Sequence, residues 1–98
     1  DADVAKATKT CDFAERFPER WFNCGSAEQN ELSVAAGLAL EGFLPFATGF
    51  AMFSAFRAAD QLRNSICYPS LNVKVAATHA GITTGGDGAS HQCNEDLA

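Results

Sequence analysis

Short apolar runs alternate with longer helical stretches along this chain, and that alternation constrains its fold more than any other feature. The runs lie at residues 21–24, 44–48 and 73–78, and helices are predicted over residues 27–41 and 49–66. Strands separated by helices of ten or more residues pair in parallel, with right-handed connections. The sequence therefore predicts an α/β fold with a parallel sheet and flanking helices.

Helix-breaking residues set the limits of these elements. Pro18 ends a short helix just before it, and Pro69 ends the second long helix. Gly42 suits the left-handed position that closes the first long helix, and Ser90 is expected to cap a final helix. Residues 1–10 are polar and look like the loop that leaves a strand. We therefore expect the first strand and the last helix to be truncated.

Length, composition and charge limit the class of protein. The 98 residues fit one domain spanning residues 1–98, and 47% of them are apolar, which is enough for a core. A net charge of −5 without a basic run argues against a nucleic-acid surface. No apolar stretch reaches the roughly 20 residues of a membrane span, and no signal peptide begins the chain.

The four cysteines show no metal-binding pattern. Cys11, Cys24, Cys67 and Cys93 contain no CxxC pair, and their spacing matches no zinc ribbon. Reduced thiols in a cytoplasmic protein are the favoured interpretation, with two disulfides as the alternative.

Glu28 follows a short apolar run and precedes a long helical stretch, so it is predicted to lie in the first turn of that helix. Ser26 and Gln29 have the spacing of a capping box, with Ser26 as the N-cap. A carboxylate at this position either interacts favourably with the positive end of the helix dipole or shares a proton with a ligand. Position alone leaves both interpretations open, and the structural one is the commoner.

Two further patterns have a structural and a functional interpretation. Phe50, Phe53 and Phe56 recur at three-residue spacing, which is typical of a core stripe but also suits a stacking wall for a flat ring. The glycine-rich loop from His79 to His91 is either solvated or recognises a polar substrate. It lacks the Lys-Ser/Thr of a phosphate loop and any recognised metal-ligand spacing, so a metal site ranks last.

Four segments, residues 17–30, 35–42, 57–65 and 78–92, carry a resemblance to a known family. Their motifs include Gly25-Ser26-Ala27-Glu28, Thr78-His79-Ala80-Gly81 and Ala89-Ser90-His91-Gln92. Through these segments, nearly the whole chain resembles the transketolase family. It is most similar to the central pyrimidine-binding domain of the split kind, in which this parallel α/β domain opens a separate C-terminal subunit.

The resemblance implies thiamine diphosphate as the cofactor, with a magnesium ion bound through a partner domain and not by this chain. Glu28 matches the glutamate that bonds to a ring nitrogen of the aminopyrimidine, and Asp3 matches an aspartate in a loop near the cofactor. Phe50, Phe53 and Phe56 match the aromatic pocket around the pyrimidine.

The resemblance also implies roles toward the substrate. His79 matches a histidine near the sugar phosphate, and Asp87 and His91 match groups that hold the donor hydroxyls. Glu28, His79 and His91 are therefore the candidate catalytic residues.

The implied activity is transfer of a two-carbon ketol unit between sugar phosphates, as in the pentose phosphate pathway. The diphosphate motif belongs to another domain or subunit, so a homo- or hetero-oligomer, such as a dimer, is expected and the isolated chain should be inactive. Ala5 and Ala7 replace hydroxyl residues of the family and Gly86 replaces a glutamate, which bears on phosphosugar specificity. The alternatives are a deoxyxylulose-phosphate-synthase-like enzyme, a dehydrogenase beta subunit, or a non-catalytic assembly chain of the same fold.

Overall fold

A pair of parallel strands forms the centre of the computed structural model, which describes residues 1–97. β1 is Phe46–Phe50 and β2 is Lys74–Thr78, and the two strands pair over their full length. The predicted parallel α/β arrangement is confirmed. β1 begins two residues later than predicted because Pro45 precedes it, and Pro45 offers only its carbonyl, which accepts a hydrogen bond from Lys74 N–H at 2.9 Å.

The helix before β1 was predicted closely. Two short helices, α1 (Ala5–Thr8) and α2 (Cys11–Arg16), precede it, and the helix itself, α3, spans Glu28–Leu40. Gly42 then takes a left-handed φ of 88°, as expected for the residue that closes a helix.

The predicted capping box is wrong. The residue at the N-cap of α3 is Ala27, and no side chain caps the helix. The chain turns sharply just before it, since Gly25 has a φ of 74° and Ala27 N–H donates to Gly25 O at 2.7 Å. This turn places Ser26 one residue too early to act as the cap, and it places Glu28 at the first position of the helix.

The helix predicted over residues 49–66 forms two wide, π-helical segments instead of one regular α-helix. They span Met52–Arg57 and Gln61–Cys67, with a turn at Ala58 between them. Ala58 N–H donates to Phe53 O, five residues back, at 3.1 Å. Such wide turns often occur at functional sites.

The strand predicted over residues 21–24 does not form part of the sheet. The segment has no regular secondary structure, and its backbone bonds are to Asp1, whose amino group donates to Phe22 O at 3.0 Å and whose carbonyl accepts from Cys24 N–H at 2.9 Å. A strand needs a partner along its length, and Asp1 supplies a single residue.

The final helix predicted after Ser90 is also wrong within the described residues. The chain there forms short 3-10 turns, Gly85–Ser90 and Glu95–Leu97, and an antiparallel bridge joins Gly81 to Cys93. Ser90 Oγ donates backward to Asp87 O at 3.3 Å and so does not cap a following helix. The last residue of that prediction, Ala98, lies outside the described part of the chain.

The core joins α3 to β1 and to the helical segments after it. Small side chains dominate it and let the elements approach closely; its buried members are Leu32, Ala35, Ala36, Ala47, Ala58 and Ile66. The four cysteines are all free. None of the helices in residues 1–97 combines the length and apolar character needed to cross a membrane.

Candidate functional site

An aromatic–histidine cluster, made of Phe50, Phe53, His79 and His91, lies where both strands end. The Phe50 ring centroid is 4.4 Å from that of His79 and 5.7 Å from that of His91. The Phe53 ring meets His91 edge-on at 5.1 Å and lies 6.4 Å from Phe50. These separations are those of favourable aromatic contacts, so one compact cluster unites segments far apart in the sequence.

Strand pairing explains why His79 reaches Phe50. Thr78 is paired with Phe50 at the end of the sheet, and His79 is the next residue. His79 adopts a left-handed backbone with a φ of 60°, a conformation uncommon for residues other than glycine. Strain of this kind, of order 1–3 kcal/mol, concentrates at functional sites.

Both histidine rings are held by the hydroxyl of the residue before them. His79 Nδ1 lies 2.8 Å from Thr78 Oγ1, and His91 Nδ1 lies 2.9 Å from Ser90 Oγ. A hydroxyl can donate to or accept from a ring nitrogen, so these bonds occupy Nδ1 in either tautomer. Nε2 is therefore the atom of each ring that is left to bond to a ligand.

Glu28 is connected to this cluster through an arginine. Its side chain is 6% exposed, and its Oε2 accepts a hydrogen bond from Arg57 Nη1 at 2.9 Å. The same guanidinium lies 4.3 Å from the Phe53 ring centroid, within the range of a cation–π contact. The predicted position of Glu28 in the first turn of its helix is confirmed, and its role toward a ligand stays a prediction.

Arg57 is a site residue that the sequence reasoning missed. It follows Phe53 by four residues, and side chains at that spacing lie on the same face of a helix. This spacing, together with the proposed aromatic wall, could have placed the Arg57 cation above the Phe53 ring.

Glu31, one helical turn after Glu28, is the second residue that was missed. It is only 3% exposed, and its Oε1 accepts the backbone N–H of Thr48 at 2.8 Å. Its Oε2 is buried without a hydrogen-bond partner among the described residues. Glu31 thus attaches α3 to β1 and so helps to position Glu28 relative to the end of that strand.

Three predicted site residues lie outside the cluster. Phe56 is 55% exposed, and Asp87 is exposed on the glycine-rich loop. Asp3 is exposed, has a left-handed φ of 66°, and accepts a hydrogen bond from Asn23 Nδ2 at 2.9 Å. Within residues 1–97 no hydrogen bond or ring contact joins these three to the cluster, so their roles stay predictions.

The chemistry of the site suits an aminopyrimidine ring. A buried carboxylate can accept a hydrogen bond from a ring N–H, and the neighbouring phenylalanine and histidine rings can contact a flat heteroaromatic face. No group of three His, Cys, Asp or Glu side chains within residues 1–97 could hold a metal ion. The residues present therefore fit the organic part of the cofactor that the resemblance implies.

Comparison with known proteins identifies the family of the chain. The family model for the transketolase pyrimidine-binding domain matches residues 1–98. A solved structure, a split-gene transketolase in an inactive beta4 tetramer, has a TM-score of 0.79 and 61% sequence identity. That match covers 99% of this chain and 30% of the other.

Curated relatives include transketolases and a related synthase. A transketolase C-terminal section of Methanocaldococcus jannaschii is 57% identical over 98 residues, which are all of this chain and 31% of the relative. A 6-deoxy-6-sulfo-D-fructose transketolase subunit of Clostridium sp. is 39% identical over 98 residues, 30% of its length. A 1-deoxy-D-xylulose-5-phosphate synthase of Listeria monocytogenes is 46% identical over 86 residues, 88% of this chain and 14% of the synthase.

The chain thus spans about a third or less of the length of these relatives. The family model nevertheless covers its whole length, and the fold agrees with that of the split-gene transketolase. The chain belongs to the transketolase family, as a pyrimidine-binding domain.

Proposed function

We propose that this chain is the pyrimidine-binding part of a thiamine-diphosphate-dependent transketolase, which transfers a two-carbon ketol unit between sugar phosphates. The observation that carries the proposal is the buried Glu28 carboxylate at the start of α3, connected through Arg57 to the aromatic–histidine cluster. The bound cofactor supplies the reactive carbon that accepts and releases the two-carbon unit.

Glu28 binds and orients the pyrimidine by accepting a hydrogen bond from a ring nitrogen. Its Oε2 now accepts from Arg57, whose side chain is 46% exposed and can therefore move into solvent. Glu28 cannot follow it, since its own side chain is 6% exposed. A ring N–H can then take the place of the guanidinium at Oε2.

The aromatic rings exclude water from one side of the pyrimidine, and the histidines face the substrate. Phe50 is 8% exposed and Phe53 is half-buried, so together they form a rigid apolar surface. Nε2 of His79 and of His91 can hold or move a proton at a substrate oxygen. Phe56, Asp3 and Asp87 are proposed to complete the site from its exposed side.

The partner that completes the site is proposed to be the diphosphate-binding domain or subunit, which also holds magnesium. The lengths of the relatives support this, since the chain corresponds to about 30% of a split transketolase chain. We further propose a dimeric or larger assembly in the cytoplasm. The four free cysteines support a reducing compartment.

One other reaction is favoured by a specific observation. The Listeria synthase is 46% identical over 86 residues, which is comparable to the 39% over 98 residues of the Clostridium transketolase subunit. Ala5, Ala7 and Gly86 also depart from the transketolase pattern near the substrate. The second candidate is therefore condensation of pyruvate with a triose phosphate by the same cofactor. The identities of 57% and 61% with split transketolases support ketol transfer as the first.

The test is a paired assay of the complete natural protein with thiamine diphosphate and magnesium. One assay offers xylulose phosphate and ribose phosphate, and the other offers pyruvate and a triose phosphate. Turnover of the sugar-phosphate pair alone is the expected result, and it should vanish when the 98-residue chain is assayed by itself. Turnover of pyruvate alone would support the second candidate, and cofactor binding without either reaction would indicate an assembly role.

A further inference from the structure

The hydroxyl of Thr78 has two hydrogen-bond partners, and together they determine the state of the His79 ring. Thr78 Oγ1 lies 2.8 Å from His79 Nδ1 and donates to Gly49 O of β1 at 3.3 Å. A hydroxyl has a single hydrogen to donate, and a carbonyl oxygen can only accept one. Because the hydrogen of Thr78 is given to Gly49 O, the bond between Thr78 and His79 is donated by Nδ1–H of the ring.

The opposite tautomer of His79 leaves this arrangement unsatisfied. If Nδ1 were bare, Thr78 would have to donate to it, and the oxygens of Thr78 and Gly49 would then face each other without a hydrogen between them. A part-buried polar group that loses its partner in this way costs free energy. The Nδ1–H tautomer instead gives one chain of hydrogen bonds, from the ring through the hydroxyl to β1, in which each bond polarises the next.

His91 reaches the same state through a separate hydroxyl. Ser90 Oγ lies 2.9 Å from His91 Nδ1 and donates to Asp87 O at 3.3 Å, so it also accepts from the ring. This chain of bonds ends on the exposed glycine-rich loop and not on the sheet. Water can compete for the exposed Ser90 hydroxyl, so we expect a weaker constraint on His91 than on His79.

We propose that Thr78 and Ser90 are positioning residues that hold His79 and His91 as the Nδ1–H tautomers, so that both rings present a bare Nε2 to a ligand. A bare Nε2 accepts a hydrogen bond from a hydroxyl or an N–H group, and it cannot donate one to a phosphate oxygen. The neutral rings therefore select the hydroxyl-bearing part of a substrate. For His79 this changes the expected ligand group from the sugar phosphate to a hydroxyl, a consequence that rests on the proposed function.

The first test is nitrogen NMR spectroscopy of the histidine rings in the complete natural protein, at a pH above which their signals no longer change. The chemical shift distinguishes a ring nitrogen that carries a proton from a bare one, and His79→Asn and His91→Asn variants assign the signals. Both rings should show a protonated Nδ1 and a bare Nε2. Thr78→Val should raise the Nε2–H fraction of His79 alone, and Ser90→Ala that of His91 alone. Thr83→Val removes an exposed hydroxyl of the same loop and should change neither ring.

The second test is kinetic and uses the assembled enzyme with one ketose, offered both as its phosphate ester and as the free sugar. Thr78→Val should raise KM for both forms by the same factor, about three- to tenfold, the size of one hydrogen bond. The change in kcat should be smaller. Thr78→Ser keeps the hydroxyl and should restore both KM and the tautomer, whereas a merely structural role of Thr78 would move neither of these readouts.

Two results would overturn the proposal. One is a bare Nδ1 in either ring of the unsubstituted protein, a readout that needs no variant and no turnover. The other is a KM that rises in Thr78→Val for the phosphate ester only, since Nε2 of His79 would then act as a donor to phosphate. The tautomers are measured without turnover, so a wrong tautomer leaves the proposed reaction standing. The predicted tautomers in a protein that turns over neither sugar would contradict the proposed function alone.

Discussion

The carboxyl end of β1 and its outer edge differ in how completely other parts of the chain cover them. At its carboxyl end, Phe50 is 8% exposed and contacts rings from two other segments. At its outer edge, Phe46 is 62% exposed and faces a groove. The first is packed by segments within residues 1–97, and the second is left open by them. The site-forming end of the domain therefore takes its shape from contacts inside this chain.

A similar contrast holds between two buried carboxylates one turn apart on α3. Glu31 accepts a backbone N–H of β1 and so stabilises the fold. Glu28 bonds to a half-exposed arginine that can leave, so its oxygen can be given to a ligand. Equal burial, at 3% and 4% exposed, does not make the two equivalent, because their partners differ.

The sharpest test of this contrast is Glu28→Gln in the assembled enzyme, and it should give the largest effect. The amide cannot take the charge or the proton of a carboxylate, so turnover should fall by about 10²–10⁴, or roughly 3–5 kcal/mol of activation free energy. The free energy of unfolding should change by at most ~1 kcal/mol. Steady-state rate and thermal midpoint at saturating cofactor measure both.

Glu31→Gln is the matched control, since it makes the same change three residues away and should leave turnover near that of the unmodified enzyme. If turnover of Glu28→Gln stays within about threefold of normal, less than one factor of ten, Glu28 is a structural carboxylate only.

Phe50→Ala should have the next largest effect, on stability. Removing a buried phenylalanine costs about 3–5 kcal/mol of unfolding free energy, and here it also removes the ring that contacts both histidines. Phe56→Ala, on an exposed ring, should stay within about 0.5 kcal/mol. Denaturant unfolding of both variants compares them, and equal losses would contradict the distinction between a packed and an exposed member of the stripe.

Glu31→Leu should destabilise the fold by about 1–3 kcal/mol, because it leaves the Thr48 N–H buried without an acceptor. Glu31→Gln should recover much of that loss, since the amide oxygen can accept the same hydrogen bond. Chemical denaturation of the two variants side by side gives the difference. A Gln variant as unstable as the Leu variant would show that charge, and not the hydrogen bond to β1, is what matters.

The sequence predicted the elements whose signals are local. Gly42 and Pro18 follow the ends of helices where expected. The apolar runs at residues 44–48 and 73–78, which were predicted as strands, overlap β1 and β2. Glu28 and the two histidines were identified through their motifs, and the cluster unites the histidines with Phe50. These predictions agree with the structure because short-range turn chemistry and the order of the strands determine the features they concern.

The failures have long-range causes. Residues 21–24 have the composition of a strand, but pairing requires a neighbour that a local pattern cannot supply. Ser26 has capping chemistry, but the turn at Gly25 shifts the helix start by one residue. Arg57 and Glu31 acquire their roles only through contacts across 29 and 17 residues. Neither separation is visible in a helical or strand period.

The smallest predicted effect concerns Gly49, which precedes Phe50 in β1. A Cβ at this position would stand 2.9 Å from Ser54 Oγ and 3.8 Å from Glu31 Oε2. The hydroxyl is the end of a short side chain and can rotate away, so Gly49→Ala should cost about 0.5–1.5 kcal/mol, the scale of a strained side-chain torsion. Ser54→Ala removes the hydroxyl and should restore most of the loss when combined with Gly49→Ala. A double-mutant cycle of unfolding free energies measures this coupling; additive losses would mean that the backbone of β1 moves instead of the Ser54 side chain.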